Sequence, residues 1–90
     1  MDDKKVKDFS KASMYAIYDR LAGTYGEPFC APSGDIAIRR FSYLMANAPM
    51  VAADCDLYCV GYYDVLTGVV SLPLDSKPEF VYRYEVKANE

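Results

Sequence analysis

The chain has 90 residues and a mass of 10.1 kDa, enough for one domain that buries roughly 64% of its extended-chain surface. Hydrophobic residues make up 52%, too many for wholesale disorder, and no run of about 18 uncharged apolar residues is present to span a membrane. A net charge of −3 excludes a uniformly basic nucleic-acid coat, and the absence of histidine removes the Ser-His and Cys-His catalytic pairs and the commonest metal ligand.

Residues 1–12 carry Lys4, Lys5, Lys7 and Lys11 against Asp2, Asp3 and Asp8, with few apolar residues between them. They read as a flexible N-terminal arm of slight positive charge, and residues 13–87 as a single domain. Ser13 to Asp19 reads as a strand with apolar residues on both faces, hence a central one. Gly23 and Gly26 punctuate the next stretch. Residues 27–32 are extended, and Pro28 and Pro32 deny them a central ladder position.

Pro32-Ser33-Gly34-Asp35 is a helix-start signal: Ser33 can cap, and Asp35 complements the helix dipole. Ala37, Phe41, Leu44, Met45 and Ala48 then follow 3.6-residue spacing on one face, with Arg39, Ser42 and Ala46 opposite. Pro49 is expected to stop the helix, leaving residues 50–54 as a connection. Leu57 to Tyr63 reads as a strand. Asp64 and Gly68 frame a hairpin turn, and Val69 to Leu72 return. A second turn at 75–78 leads to a strand from Phe80 to Val86. Its alternation places Phe80, Tyr82, Tyr84 and Val86 on one side, and Val81, Arg83 and Glu85 on the other. The expected fold class is α+β: one amphipathic helix packed on a small, mainly antiparallel sheet of about four to five strands.

Nine Tyr and four Phe stand beside no Trp. Tyrosine is a strand former and an amphipathic contact residue. A sheet with half-exposed tyrosines and a Tyr-rich face for a partner chain or stacked bases both fit this composition. One helix covers one sheet face, so the other face or a strand edge is expected to join a second copy in a homodimer. Cys30, Cys55 and Cys59 are an odd number. The C-x3-C spacing of the last two matches no zinc pair, so reduced thiols and no metal or cofactor are expected. Asp54, Asp56 and Asp64 read as turn residues, and nothing marks a catalytic pocket.

Arg39 and Arg40 are the strongest functional candidates. Adjacent helical residues project about 100° apart, so the two guanidiniums can reach two phosphates or a partner's carboxylates, or simply be solvated. Ser33-Gly34 at the helix start can offer N–H groups to an anion, but Asp35 already places a carboxylate there.

The order Ile17-Tyr18-Asp19, Pro28-Phe29 with Ala31-Pro32, Ala37-Ile38-Arg39 with Phe41-Ser42, Leu57-Tyr58 with Val60-Gly61, and Tyr63-Asp64 with Thr67-Gly68 resembles a known family. It is similar to the small nonstructural protein of gokushoviruses, single-stranded DNA phages of the Microviridae, over residues 13–74. The resemblance implies a non-enzymatic, DNA-binding accessory protein in the host bacterial cytoplasm. Its implied role is the switch from duplex replication to single-stranded DNA synthesis and packaging. Such a protein would contact single-stranded DNA through Arg39, Arg40, Lys4, Lys5, Lys7 and Lys11. The alternative is a Tyr-rich module that docks a phage or host replication or packaging protein without touching DNA. Few cations in an acidic chain imply weak, shallowly salt-dependent DNA affinity.

Overall fold

A computed structural model describes residues 11–86. Two long strands carry its sheet. β1 (Lys11–Asp19) and β4 (Cys55–Asp64) pair antiparallel along their whole length, from Lys11 opposite Asp64 to Asp19 opposite Cys55. Each has two short strands on its outer edge. β2 (Thr24–Tyr25) and β3 (Phe29–Ala31) both pair with β1, while β5 (Val70–Ser71) and β6 (Glu79–Arg83) both pair with β4. The result is a six-stranded antiparallel sheet with the two long strands inside it. β1 is central, as its apolar residues on both faces require, and the Pro-flanked β3 occupies an edge.

The helical layer has two pieces instead of the expected one. α1 (Gly34–Ala46) begins at Ser33, whose Oγ accepts a hydrogen bond from the Ile36 N–H at 3.2 Å. It ends at Asn47, whose Nδ2 donates to the Tyr43 carbonyl at 2.8 Å. Pro49 does not lead into a plain connection but opens a single turn, α2 (Pro49–Ala52). Proline fits there because the first N–H of a helix has no partner to lose.

α1 lies over the inner face of the sheet and buries Ala37, Phe41 and Met45, a ridge at four-residue spacing. Leu44, expected in that stripe, is 46% exposed beside Tyr43 at 70%. The i, i+4 ridge supplies the fully buried contacts, Ile36 and Ile38 pack partly buried beside it, and Leu44, three residues after Phe41, is left largely to solvent. The outer side of α1 is therefore less polar than a clean amphipathic pattern would make it. Tyr15, Leu57, Cys55 and Cys59 meet the helix from the strands, and the rings of Tyr82 and Tyr84 stand edge-on to Phe41 at 6.2 and 6.3 Å.

Two bulges re-aim side chains. Met14 pairs with Gly61 and Tyr15 with Cys59, leaving Val60 unpaired. Leu57 pairs with Tyr82 and Tyr58 with Phe80, leaving Val81 unpaired. The second bulge overturns the clean alternation expected for residues 80–86. Tyr82 faces the helix, but Phe80 is displaced to the opposite face, against Tyr58.

The hairpin after β4 forms as its residues demand. Asp64 Oδ1 accepts from the Leu66 N–H at 2.9 Å, and Gly68 takes φ +78° and donates its N–H to the Asp64 carbonyl at 2.7 Å. Gly61 has a different reason to be glycine: a Cβ there would lie 2.7 Å from the Ser71 carbonyl oxygen of β5.

Phe41 is fully buried. Phe41→Ala is expected to cost ~3–5 kcal/mol, the range for a buried Phe truncation in a core. Urea denaturation of the two proteins measures it, and an unshifted midpoint would contradict the packing of α1 on the sheet.

Candidate nucleic-acid interface

Arg39 and Arg40 both lie exposed on α1. With Tyr43 and Leu44 they line a shallow, open depression on the solvent side of the helix. Arg40 is partly tethered: Nη1 donates to the Cys30 carbonyl at 3.3 Å, and the guanidinium sits 4.7 Å from the centre of the Phe29 ring. Arg39 has no hydrogen bond or ion pair among the described residues. Lys11 is exposed at the start of β1, opposite Asp64, and makes no hydrogen bond or ion pair with either arginine. Lys4, Lys5 and Lys7 lie outside the described residues. The structure thus brings together Arg39 and Arg40, and joins no lysine to them.

The outer face of the sheet, away from α1, holds a second cluster that sequence reasoning missed. Its centre is Asp56. Expected as a turn residue, Asp56 instead sits inside β4 with 1% of its surface exposed. Arg83 Nε donates to Oδ1 at 2.8 Å and its Nη2 to Oδ2 at 3.2 Å; Arg20 Nε donates to Oδ2 at 3.1 Å. Arg20 Nη2 also reaches the Ala53 carbonyl at 2.6 Å. The Arg83 hydrogen bond, with Arg20 adding to it, holds the Asp56 carboxyl below the usual carboxylate range against the opposing effect of burial. Both guanidiniums remain partly in water, at 36% and 56% side-chain exposure, so the trio carries one net positive charge at the surface.

Aromatic rings lie beside this trio on the same face. Tyr18, Tyr25 and Tyr58 form a triangle with centroid separations of 4.6, 5.9 and 5.6 Å. Phe80 extends it on the far side of Tyr58 at 5.8 Å, and the Arg83 guanidinium lies 6.0 Å from the Phe80 ring centre. β pairing explains the grouping: Tyr18 is opposite Tyr25, Ala16 is opposite Tyr58, and Tyr58 is opposite Phe80. Tyr25 and Phe80, at the two ends of the group, are 44% and 55% exposed. The period-2 spacing of Asp56 and Tyr58 was a readable signal for one shared face. The placement of Phe80 was not readable, because it depends on the bulge at Val81.

The cysteines form no bridge: Cys30 is exposed, Cys55 and Cys59 are buried. Burial, with Asp19 and Asp54 nearby, pushes the Cys55 thiol up, so it stays protonated and unreactive at neutral pH. No described helix is long and apolar enough to cross a membrane.

Asp56 gives a pH-dependent expectation. Its folded-state pKa is depressed, so its contribution is present above the unfolded value of about 3.9 and fades as pH falls through the folded one. Asp56→Asn is expected to lower stability by about 2 kcal/mol at pH 7, the scale of charge-assisted hydrogen bonds with solvated partners. The deficit should persist down to about pH 4 and close below it. Urea unfolding of both proteins across pH measures this, and a deficit independent of pH would contradict the ionic role.

Neither a curated relative nor a solved structure matches the chain. The sequence profile of the family described as Phage ORF5 protein matches residues 12–85. That span takes in all of the sheet but Lys11, both helices and every residue of the two clusters above, and the chain belongs to this phage protein family.

Proposed function

We propose that the protein is a non-enzymatic phage accessory protein that associates with DNA in the host bacterial cytoplasm. In this reading it serves a gokushovirus-like member of the Microviridae, in the switch from duplex replication to single-stranded DNA synthesis and packaging. Membership of a phage family supports the setting. The observation that carries the DNA contact is the pair Arg39 and Arg40, two exposed adjacent guanidiniums on the solvent side of α1, one of them without a partner among the described residues. Asp35 in the first turn disfavours a phosphate at the helix start, so the backbone is met from the side. Lys11, with Lys4, Lys5 and Lys7 of the N-terminal segment, adds further cations.

A contact made by two arginines and a few lysines releases ~3–4 counterions, giving a shallow salt slope and weak binding at physiological salt. The double variant Arg39→Ala/Arg40→Ala is expected to lower the slope by about 2 with the fold intact. Fluorescence anisotropy with labelled single-stranded DNA across a salt series reads this. Equal slopes would move the contact off α1, and no binding of the wild type at low salt would remove the DNA reading.

A second reading has its own support. Val65, Leu66, Val69, Val70, Leu72 and Leu74 are all more than half exposed, with Leu66 at 81% and Leu74 at 90%. An exposed apolar run of this kind along the hairpin and the segment after it suits a protein contact, with a replication or packaging protein or with a second copy. A homodimer through this edge is expected to give a dimer mass by light scattering at ~100 µM, well above the micromolar range of weak specific complexes. Leu66→Glu should shift it to monomer. A monomer mass for the wild type would exclude self-association.

A further inference from the structure

We propose that the outer face of the sheet is a stacking platform for unpaired nucleobases, with Tyr25 and Phe80 as the two platforms and Arg83 as the guanidinium beside them. The inference rests on the DNA-associated reading and adds to it a separate site and a preference for single strands.

Three observations carry it. The first is geometry. Tyr18, Tyr25, Tyr58 and Phe80 are a continuous ring cluster on one sheet face, and its two end members are the ones left open to solvent. Rings set on the stiff strands of a sheet hold their orientation at little entropic cost. The second is charge. Asp56 is the only carboxylate among the described strand residues that share this face, and two guanidiniums outweigh it. Glu79 pairs with Cys59 and so belongs to the opposite face. Within the sheet, a nucleic-acid backbone approaching the rings therefore meets two guanidiniums against one carboxylate, in a chain whose total is −3. The third is spare donor capacity. Arg83 spends Nε and Nη2 on Asp56, while its Nη1 has no partner among the described residues and its side chain is 56% exposed. Fixed by the carboxylate, that nitrogen is placed to reach a phosphate next to a base lying on Phe80.

Base-on-ring stacking works for any base, because every base has a π-face, but only when the base is out of a duplex. The chemistry recognised here is thus an unpaired, sequence-tolerant strand. The contact with Arg39 and Arg40 on α1 is a different one, backbone-directed and salt-sensitive.

The test uses the full chain and a fluorescein-labelled oligothymidylate of about ten nucleotides, with a duplex of equal length as competitor. Tyr25→Ala/Phe80→Ala removes two exposed rings. It is expected to weaken single-strand binding by about 10-fold per ring while leaving the salt slope unchanged. The swap Tyr25→Phe/Phe80→Tyr keeps both π-faces and should retain affinity. A wild-type readout stands beside the variants. The chain has no Trp, so its emission is tyrosine emission, and bases stacked on Tyr25 should quench it during titration. Full wild-type affinity in the Ala variant, or binding without quenching, would overturn the platform and leave DNA association standing on Arg39 and Arg40. A change of molar mass in the Ala variant with unchanged DNA affinity would make this face a protein interface and overturn the platform too. Failure of the wild type to bind any strand at low salt removes both the platform and the DNA reading.

Discussion

A carboxylate inside a sheet costs several kcal/mol to desolvate unless opposite charge meets both of its oxygens. Asp56 meets that condition only when two distant parts of the chain are in place. Arg20 comes from the turn after β1, and Arg83 from the end of β6. Each guanidinium stays partly hydrated, so the cations pay little desolvation while the anion is fully satisfied. The same contacts pin β6 to β4 in one register, Arg83 opposite Asp56, and hold the β1–β2 turn against the start of β4. No buried side-chain polar atom among the described residues lacks a partner, so the ionic cluster closes without residue.

With that register set, nine of the aromatic residues fall into two groups. Tyr15, Phe29, Phe41, Tyr82 and Tyr84 pack with or against the helix and make the core. Tyr18, Tyr25, Tyr58 and Phe80 gather on the outer face. The bulge at Val81 separates Phe80 from Tyr82, sending one ring outward and the next inward where a regular strand would keep them together. One helical layer cannot cover two faces, and no described residues form a second layer on the outer face. Its tyrosines tolerate that because each pairs an apolar ring with a hydroxyl that water satisfies.

The distribution of positive charge follows the same division. All four arginines sit in two pairs, Arg39 with Arg40 on the helix, and Arg20 with Arg83 on the outer sheet face. An acidic chain of this size has few cations to give to a polyanion, and grouping them is the way to make two local positive fields inside a negative total. The apolar hairpin from Val65 to Leu74 carries no arginine at all, which gives the surface a third region with different chemistry. The arginine pair on the helix, the ring and arginine cluster on the outer sheet face and the apolar hairpin therefore occupy separate parts of the surface, so each can be altered by substitution without touching the others.

The sequence by itself determined the elements governed by local physics. The cap at Ser33, the ridge of Ala37, Phe41 and Met45, the Asp64–Gly68 turn and the central character of β1 are all properties of residues within a turn or two of one another. It missed α2, because Pro49 reads equally as a stop and as a first turn. It placed Leu44 in the core, because a helical stripe does not reveal how wide a surface it will meet. The outer-face cluster was beyond it for a stronger reason. Asp56 lies 36 residues from Arg20 and 27 from Arg83, so its burial and its partners exist only after the strands pair. The faces of Phe80 and Tyr82 depend on a bulge, and a bulge is a mismatch between two strands that neither strand encodes alone. Only the tertiary structure decided which tyrosines became core and which became surface, because that choice is made by register between segments far apart in the chain.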